Sequence, residues 1–261
     1  MSAPIAIIGQ EREPLHFSIA TLVTKPAQHS AMIASFRAGG FDGEDTEYLF
    51  VDNSRGNVLD GYSGLSALIA AARGRFIILV HQDVLLLKDG RKELLERLAE
   101  LDQLDPNWAL AGNAGGTAPG RLAIRISDPH GENQALGPFP ARAAALDENF
   151  IVLRRSALLS PSRGLAGFHL YGADLCLQAR FKGMTAYVVD FHLRHLGVGT
   201  VDRAFRQGRD ALERAYHRRL KGGLVQTNCD LIVITGGPWW LIARGLRRVL
   251  RRLSKLLASN A

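Results

Sequence analysis

Phe76-Ile77-Ile78-Leu79-Val80 runs straight into His81-Gln82-Asp83, and the reading of this stretch decides the reading of the chain. Five consecutive apolar residues suit a strand buried on both faces, the way strands of a parallel sheet read. Upstream, Phe17 to Val23 and Tyr48 to Val51 have the same continuous character, and the second leads directly into Asp52-Asn53-Ser54. Between them Pro26 opens a helix expected over Ala27 to Ala38, with Met32, Ile33 and Phe36 on one face and Gly39-Gly40 to end it. Further helices are expected over Leu65 to Ala72, closed by Gly74, and over Lys92 to Leu101. Strands alternating with helices imply an α/β fold with a parallel-centred mixed sheet covered on both faces. Ligands of such sheets gather at the carboxyl ends of the strands, which here carry Thr24, Asp52 and Asp83.

The second half is patterned differently. Residues 112–142 are rich in Gly, Pro and polar side chains, which predicts long loops around one strand, Leu122 to Ile126, forming the rim of a site. A strand is expected from Asn149 to Leu153, a helix from Asp174 to Phe181, and a strand from Ala186 to Val189. His192 to Gly199 then reads as a polar exit punctuated by glycine. There is no internal repeat.

Charge divides the 261 residues unevenly. The net charge is +7, but residues 1–202 hold 19 Lys+Arg against 22 Asp+Glu, while residues 203–261 hold 13 against 3. This places a main domain at 1–202 and a basic helical extension at 203–261. Within the extension, Trp239 and Trp240 precede a helix expected to reach residue 258. Leu246, Val249, Leu250 and Leu253 fall on one face, and Arg247, Arg248, Arg251 and Lys255 on the other. An apolar face, a basic face and headgroup-level tryptophans fit docking on an anionic membrane surface. The same leucines would equally serve packing on the domain or on a second subunit, in an oligomer. The basic residues lack interleaved aromatic stacking positions, so a nucleic-acid partner is not expected. Two cysteines without ligand spacing argue against a disulfide framework and point to a reducing cytoplasm. The first ten residues lack the pattern of a signal peptide, and no run reaches the roughly 18 apolar residues of a spanning helix.

Three groups of residues could carry chemistry. Asp83, at a strand end, reads as an oxygen ligand for Mg²⁺ or Mn²⁺ bridging a diphosphate, or as a turn aspartate. His192 and His195, just after a strand, read as further ligands or as polar loop residues. Asp174 reads as a helix N-cap or as a base that deprotonates an attacking hydroxyl. The glycines of 112–116 do not form GxGxxG, and neither a P-loop nor a GxSxG elbow occurs, so dinucleotide, P-loop and serine-hydrolase chemistry lose their main support.

In order, Val51-Asp52-Asn53-Ser54, Ala72-Arg73-Gly74-Arg75-Phe76-Ile77, Val80-His81-Gln82-Asp83-Val84, Tyr171-Gly172-Ala173-Asp174-Leu175 and His195-Leu196-Gly197 resemble the motif series of the family 2 glycosyltransferases, which have a GT-A fold. The match covers about residues 17–200, with HQD standing where the family has its DxD metal motif. The resemblance implies an inverting transfer from a nucleotide-diphospho-sugar to a carbohydrate or lipid-linked acceptor, in surface polysaccharide or glycan assembly. It implies that Thr24, Asp52 and Asp83 bind the nucleotide sugar, with Asp52 on the base. Asp83 and His195 would hold Mn²⁺ or Mg²⁺, His81 and His192 being further candidates, and Asp174 would be the base. An enzyme of this kind, peripheral on the inner membrane face, is the expectation. A sugar-nucleotide nucleotidyltransferase, or a non-catalytic carbohydrate- or membrane-binding relative, are the other readings. The first lacks a glycine- and lysine-rich triphosphate loop near Thr24 to Gln28. Tyr171-Gly172 stands in place of an acidic pair, Ser66 in place of an asparagine, and Lys25 departs from the family after the first strand.

Overall fold

Through its first third the chain alternates strand and helix in the expected order: β1 (Phe17–Val23), α1 (Pro26–Ala38), β2 (Thr46–Asp52), α2 (Gly61–Ala71) and β3 (Phe76–Val80). The computed structural model describes residues 15–199 and 201–219, and the backbone of 223–226 and 231–234. Helix α1 begins with Pro26, whose missing N–H costs nothing in a first turn, and buries His29, Met32 and Phe36 along one stripe. Helix α2 is capped by Asp60, which accepts from the Ser63 N–H while the Asp60 N–H bonds the Ser63 hydroxyl. All five residues of β3 are buried, as a strand covered on both faces requires.

The chain continues through β4 (Val84–Leu86), α3 (Arg91–Leu104), β5 (Trp108–Gly112), β6 (Ala114–Ala118), β7 (Arg121–Asp128), β8 (Gly131–Leu136), β9 (Ala141–Arg142), β10 (Ala145–Leu146) and β11 (Phe150–Arg154). It then forms α4 (Tyr171–Phe181), β12 (Thr185–Val188), β13 (Leu193–His195) and α5 (Arg203–Arg219). The main sheet has the order β2-β1-β3-β11-β5-β12-β9. Strands β2, β1 and β3 are mutually parallel, and β11 enters antiparallel between β3 and β5. The start of β11 therefore lies at the same edge as the carboxyl ends of β1, β2 and β3. Phe17, Phe36, Phe41, Phe76 and Trp108 form a chain of ring contacts under this sheet. Burial of each such side chain contributes about 1.5–3 kcal/mol.

The expectation of long loops over residues 112–142 is corrected. They form most of a second sheet, ordered β10-β6-β7-β13-β4 with β8 paired to β7. Composition hid it because strand β6 is Ala-Gly-Gly-Thr-Ala, with little side-chain patterning to read. Its glycine is needed for pairing: a Cβ on Gly115 would lie 2.3 Å from the carbonyl oxygen of Ala145 on β10.

The chain forms two compact units, residues 1–208 and residues 209–261. In the second, β14 (Gly223–Gln226) and β15 (Leu231–Ile234) pair as an antiparallel hairpin, so the extension is not wholly helical. The amphipathic helix expected at 239–258, with Trp239 and Trp240, lies outside the described residues. Among the described residues no helix is long and apolar enough to cross a membrane.

Candidate active site

Strand β3 delivers His81, Gln82 and Asp83 to the sheet edge, and β13 brings His195 back beside them. Val84, the first residue of β4, pairs with His195, so the register of the second sheet sets the histidine next to Asp83. The Leu196 N–H donates to the Asp83 carbonyl at 3.0 Å and holds the exit loop there. Asp83 Oδ1 lies 3.4 Å from His195 Nε2, and the His81 and His195 rings are 5.5 Å apart.

Electrostatics follow from this grouping. Burial opposes ionisation of Asp83, but the hydrogen bond and charge of His195 outweigh it and hold the carboxyl below its ordinary range. Burial works against protonation of His195 too, and Asp83 overcomes it, so that imidazole is raised. His81 is lowered, first by burial and then by His195.

His81, Asp83 and His195 each offer one ligand atom, all within 4.8 Å of one another. Two imidazoles and a carboxylate are a competent donor set for a divalent ion such as Mn²⁺. The loop leaves room for one: a Cβ on Gly197 would sit 3.0 Å from both Asp83 Oδ2 and His195 Nε2, inside the space the ligands share. The residues present fit a divalent cation.

Beside the cluster a cleft of ≈ 240 Å³ is lined by Thr24, Leu65, His81, Gln82, Asp83, Phe168 and Tyr171 among others. Gln82, which sequence reasoning passed over, ties the strand ends together. Its Oε1 accepts from the Thr24 and Lys25 N–H groups at 2.8 and 2.7 Å, and its Nε2 donates to Thr24 Oγ1 at 2.8 Å. Val23 pairs with Asp52, and the Asn53 N–H donates to the Val23 carbonyl. Thr24, Asp52 and Asp83 thus share one edge. Asp52 is exposed and accepts from the Ser54 N–H at 2.9 Å; its bonds to Ser54 lower its carboxyl.

Two expected site residues are not brought there. His192 is buried, its Nε2 2.9 Å from the Ser127 hydroxyl, so its ring is used in packing β13 against β7. Asp174 is 0% exposed. Its oxygens accept from the Ser162 N–H, the Ser162 hydroxyl and the Gln178 amide, at 2.7, 2.6 and 3.1 Å. It is not the N-cap either, since α4 starts at Tyr171, three residues earlier than expected, with Leu170 as N-cap. Asp174 therefore anchors the 162 loop to the first turn of α4. The residue that α4 does present to the cleft is Tyr171, whose hydroxyl lies 2.9 Å from His81 Nε2.

No protein-family model matches the chain. It is 34% identical over 249 residues, 92% of its length, to the "ATP synthase subunits region ORF 6" protein of Fuscovulum blasticum, and the match covers 98% of that protein. Among solved structures it is similar to the mannosyltransferase PcManGT of Pyrobaculum calidifontis, solved with GDP-Man and Mn²⁺, at TM-score 0.50 and 11% identity over 78% of this chain. It is similar also to S. aureus TarS, at TM-score 0.50 and 12% identity over 74% of this chain. The chain spans 64% and 38% of the lengths of those two proteins. These likenesses show the fold, which is of the GT-A glycosyltransferase type.

Proposed function

The chain belongs to the family of the Fuscovulum blasticum "ATP synthase subunits region ORF 6" protein, and we propose that it is a glycosyltransferase using a nucleotide-diphospho-sugar. The observation that carries the reading is the His81–Asp83–His195 cluster at the carboxyl edge of a GT-A sheet, beside Thr24 and Asp52. The mannosyltransferase of the same fold was solved with GDP-Man and Mn²⁺, which supports a nucleotide sugar and a divalent ion as the ligands of this edge.

In this reading Asp52, free on its outer side, accepts hydrogen bonds from the nucleobase, and Gln82 keeps the turn at Thr24 in place against it. His81, Asp83 and His195 hold Mn²⁺ or Mg²⁺, which when bound offsets negative charge on the diphosphate. The acceptor is a carbohydrate or a lipid-linked glycan, and the transfer inverts the anomeric centre. Its place is surface polysaccharide or glycan assembly, on the cytoplasmic face of a membrane.

The test is a panel of UDP-, GDP- and TDP-sugars, with and without Mn²⁺, read by thermal shift and by nucleotide-sugar hydrolysis. Stabilisation and turnover by one donor class, both dependent on the ion, are expected. No shift and no turnover with any donor would leave a non-catalytic module instead.

The basic extension supports a peripheral membrane role, since each basic side chain near an anionic surface contributes about 1 kcal/mol. Full-length protein should co-sediment with anionic vesicles, and a chain ending at Thr235 should not. Equal partitioning of the two would remove the anchor.

A further inference from the structure

With both oxygens of Asp174 engaged inside the protein, the reaction proposed above lacks a proton acceptor, and the sheet edge supplies a different carboxylate. Phe150, at the start of β11, pairs with Val80, and the His81 N–H donates to the Asn149 carbonyl at 3.0 Å. Glu148 is the next residue back along this antiparallel pair, across from Gln82, so it lies at the same edge of the sheet as the cleft. It sits against the first turn of α4, with Oε1 3.3 Å from the Gly172 N–H. Gly172 makes that seat available: a Cβ there would meet the Glu148 Cγ at 3.3 Å and the Leu146 carbonyl oxygen at 2.4 Å. Tyr171, which lines the cleft, bridges the two sites. Its hydroxyl is 2.9 Å from His81 Nε2 and donates to the Glu148 carbonyl at 3.3 Å.

We propose that Glu148 is the base of the transfer, taking the proton from the acceptor hydroxyl. Resting on the glycosyltransferase reading, the step balances as follows. The acceptor O–H bond breaks and its proton passes to a Glu148 carboxylate oxygen. The acceptor oxygen's electron pair forms the bond to the anomeric carbon. The anomeric carbon–phosphate oxygen bond breaks, and its pair leaves with the nucleoside diphosphate. The surroundings of Glu148 suit proton abstraction. Burial, and secondarily the charge of Asp147, push its carboxyl up to about 8 against the opposing pull of the α4 N–H groups. Once ionised, a carboxylate so raised is a stronger base than a free one, and its ionised fraction grows as pH rises. The titratable groups around it are Asp147 on its own loop, Tyr171 on α4 and, across Tyr171, Tyr62, Asp83 and His81.

The experiment uses two nucleophiles with the UDP-, GDP- or TDP-sugar that wild type hydrolyses. Water must lose a proton as it attacks, whereas azide has none to lose. Glu148→Gln should hydrolyse the donor about 10²-fold or more slowly than wild type and still form glycosyl azide at the wild-type rate. Its affinity for the nucleoside diphosphate with Mn²⁺, by calorimetry, should be unchanged. Hydrolysis at the wild-type rate would overturn the proposal, and so would equal loss of both reactions, which marks a structural role. Glu148→Asp, which keeps a carboxylate, should retain more hydrolysis than Glu148→Gln; the reverse order overturns the proposal as well. Failure of wild type to turn over any donor would instead strike the glycosyltransferase reading itself.

Discussion

Substitution of Asp174 separates anchoring from catalysis, because the structure assigns its carboxylate a full set of internal partners. Asp174→Ala leaves the Ser162 N–H, the Ser162 hydroxyl and the Gln178 amide without their acceptor in a site with no exposure. The Ser162 N–H cannot rotate away. An unsatisfied buried group costs about 1–3 kcal/mol, and with the lost packing the total is about 3–5 kcal/mol. Asp174→Asn is gentler. Its carbonyl oxygen can occupy the Oδ2 position and keep the Ser162 N–H and Gln178 bonds, while its amide donates to the Ser162 hydroxyl, which turns to accept. What is lost is mainly the charge assistance, about 1–2 kcal/mol. For a domain of this size each kcal/mol shifts Tm by about 2–4 °C, so the expected losses are about 2–8 °C for Asn and 6–20 °C for Ala. The assay is calorimetric melting alongside nucleotide-sugar hydrolysis at a temperature where each variant is folded. The Asn variant should turn over within a few-fold of wild type. An unchanged Tm with a rate loss of about 10²-fold would refute the anchoring argument and restore Asp174 as a base.

Asp83→Ala should abolish ion-dependent donor turnover and leave the melting transition cooperative; full activity of this variant, or of wild type in excess EDTA, would remove the ion from the reading. Gln82→Ala frees the turn at Thr24 and Lys25 without touching a ligand atom, so it should raise the donor KM about tenfold, equivalent to 1.4 kcal/mol, and leave Mn²⁺ affinity unchanged in titration calorimetry. Equal loss of ion and donor binding would instead make Gln82 part of the ion site. Stability should fall as pH drops below about 6.5, because His16, His29 and His192 are all lowered, chiefly by burial. Each contributes stability present above the unfolded value near 6.5 and lost as pH falls through its folded value. His195, raised by Asp83, and Glu148, raised by burial, act in the opposite direction, each losing its contribution as pH rises through its folded value. A Tm higher at pH 5.5 than at pH 7.5 would show that His195 and Glu148 together outweigh the three buried imidazoles.

The parallel half of the main sheet was legible because its strands are buried on both faces and say so residue by residue; β3 is the clearest case. The strand-end positions of Thr24, Asp52 and Asp83 followed from that alone, and His195 from its motif. The second sheet was not legible. Strand β6 is built of small residues whose value lies in letting β10 approach, a contact 29 residues away in sequence between Gly116 and Ala145. Asp174 misled for a related reason. An aspartate near a helix start reads as cap or base, but its partner Ser162 lies in a loop with no periodicity to place it. Gln82 was missed because it acts across strands, and Glu148 because its partners are on α4, 23 and 24 residues away in sequence, so neither is marked by its neighbours in the chain.

The departures at His81 and at Tyr171-Gly172 read in sequence as two separate losses of acidic character. In the structure they are one contact, the His81 ring against the Tyr171 hydroxyl. An acidic side chain at position 171 would lie within electrostatic reach of both Asp83 and Glu148, three carboxylates in one neighbourhood. Like charges so placed cannot all ionise, and at least one would be forced neutral. Tyrosine brings a hydroxyl that partners the imidazole and adds no charge, because burial holds its own ionisation well above the ordinary range. Gly172 then leaves the helix start open for Glu148. Under the proposed function these changes would form a set: an imidazole in place of one ligand carboxylate, a neutral partner for that imidazole, and a carboxylate supplied from the loop before β11. Restoring an acidic residue singly, as in Tyr171→Asp, should therefore impair the site more than it repairs it.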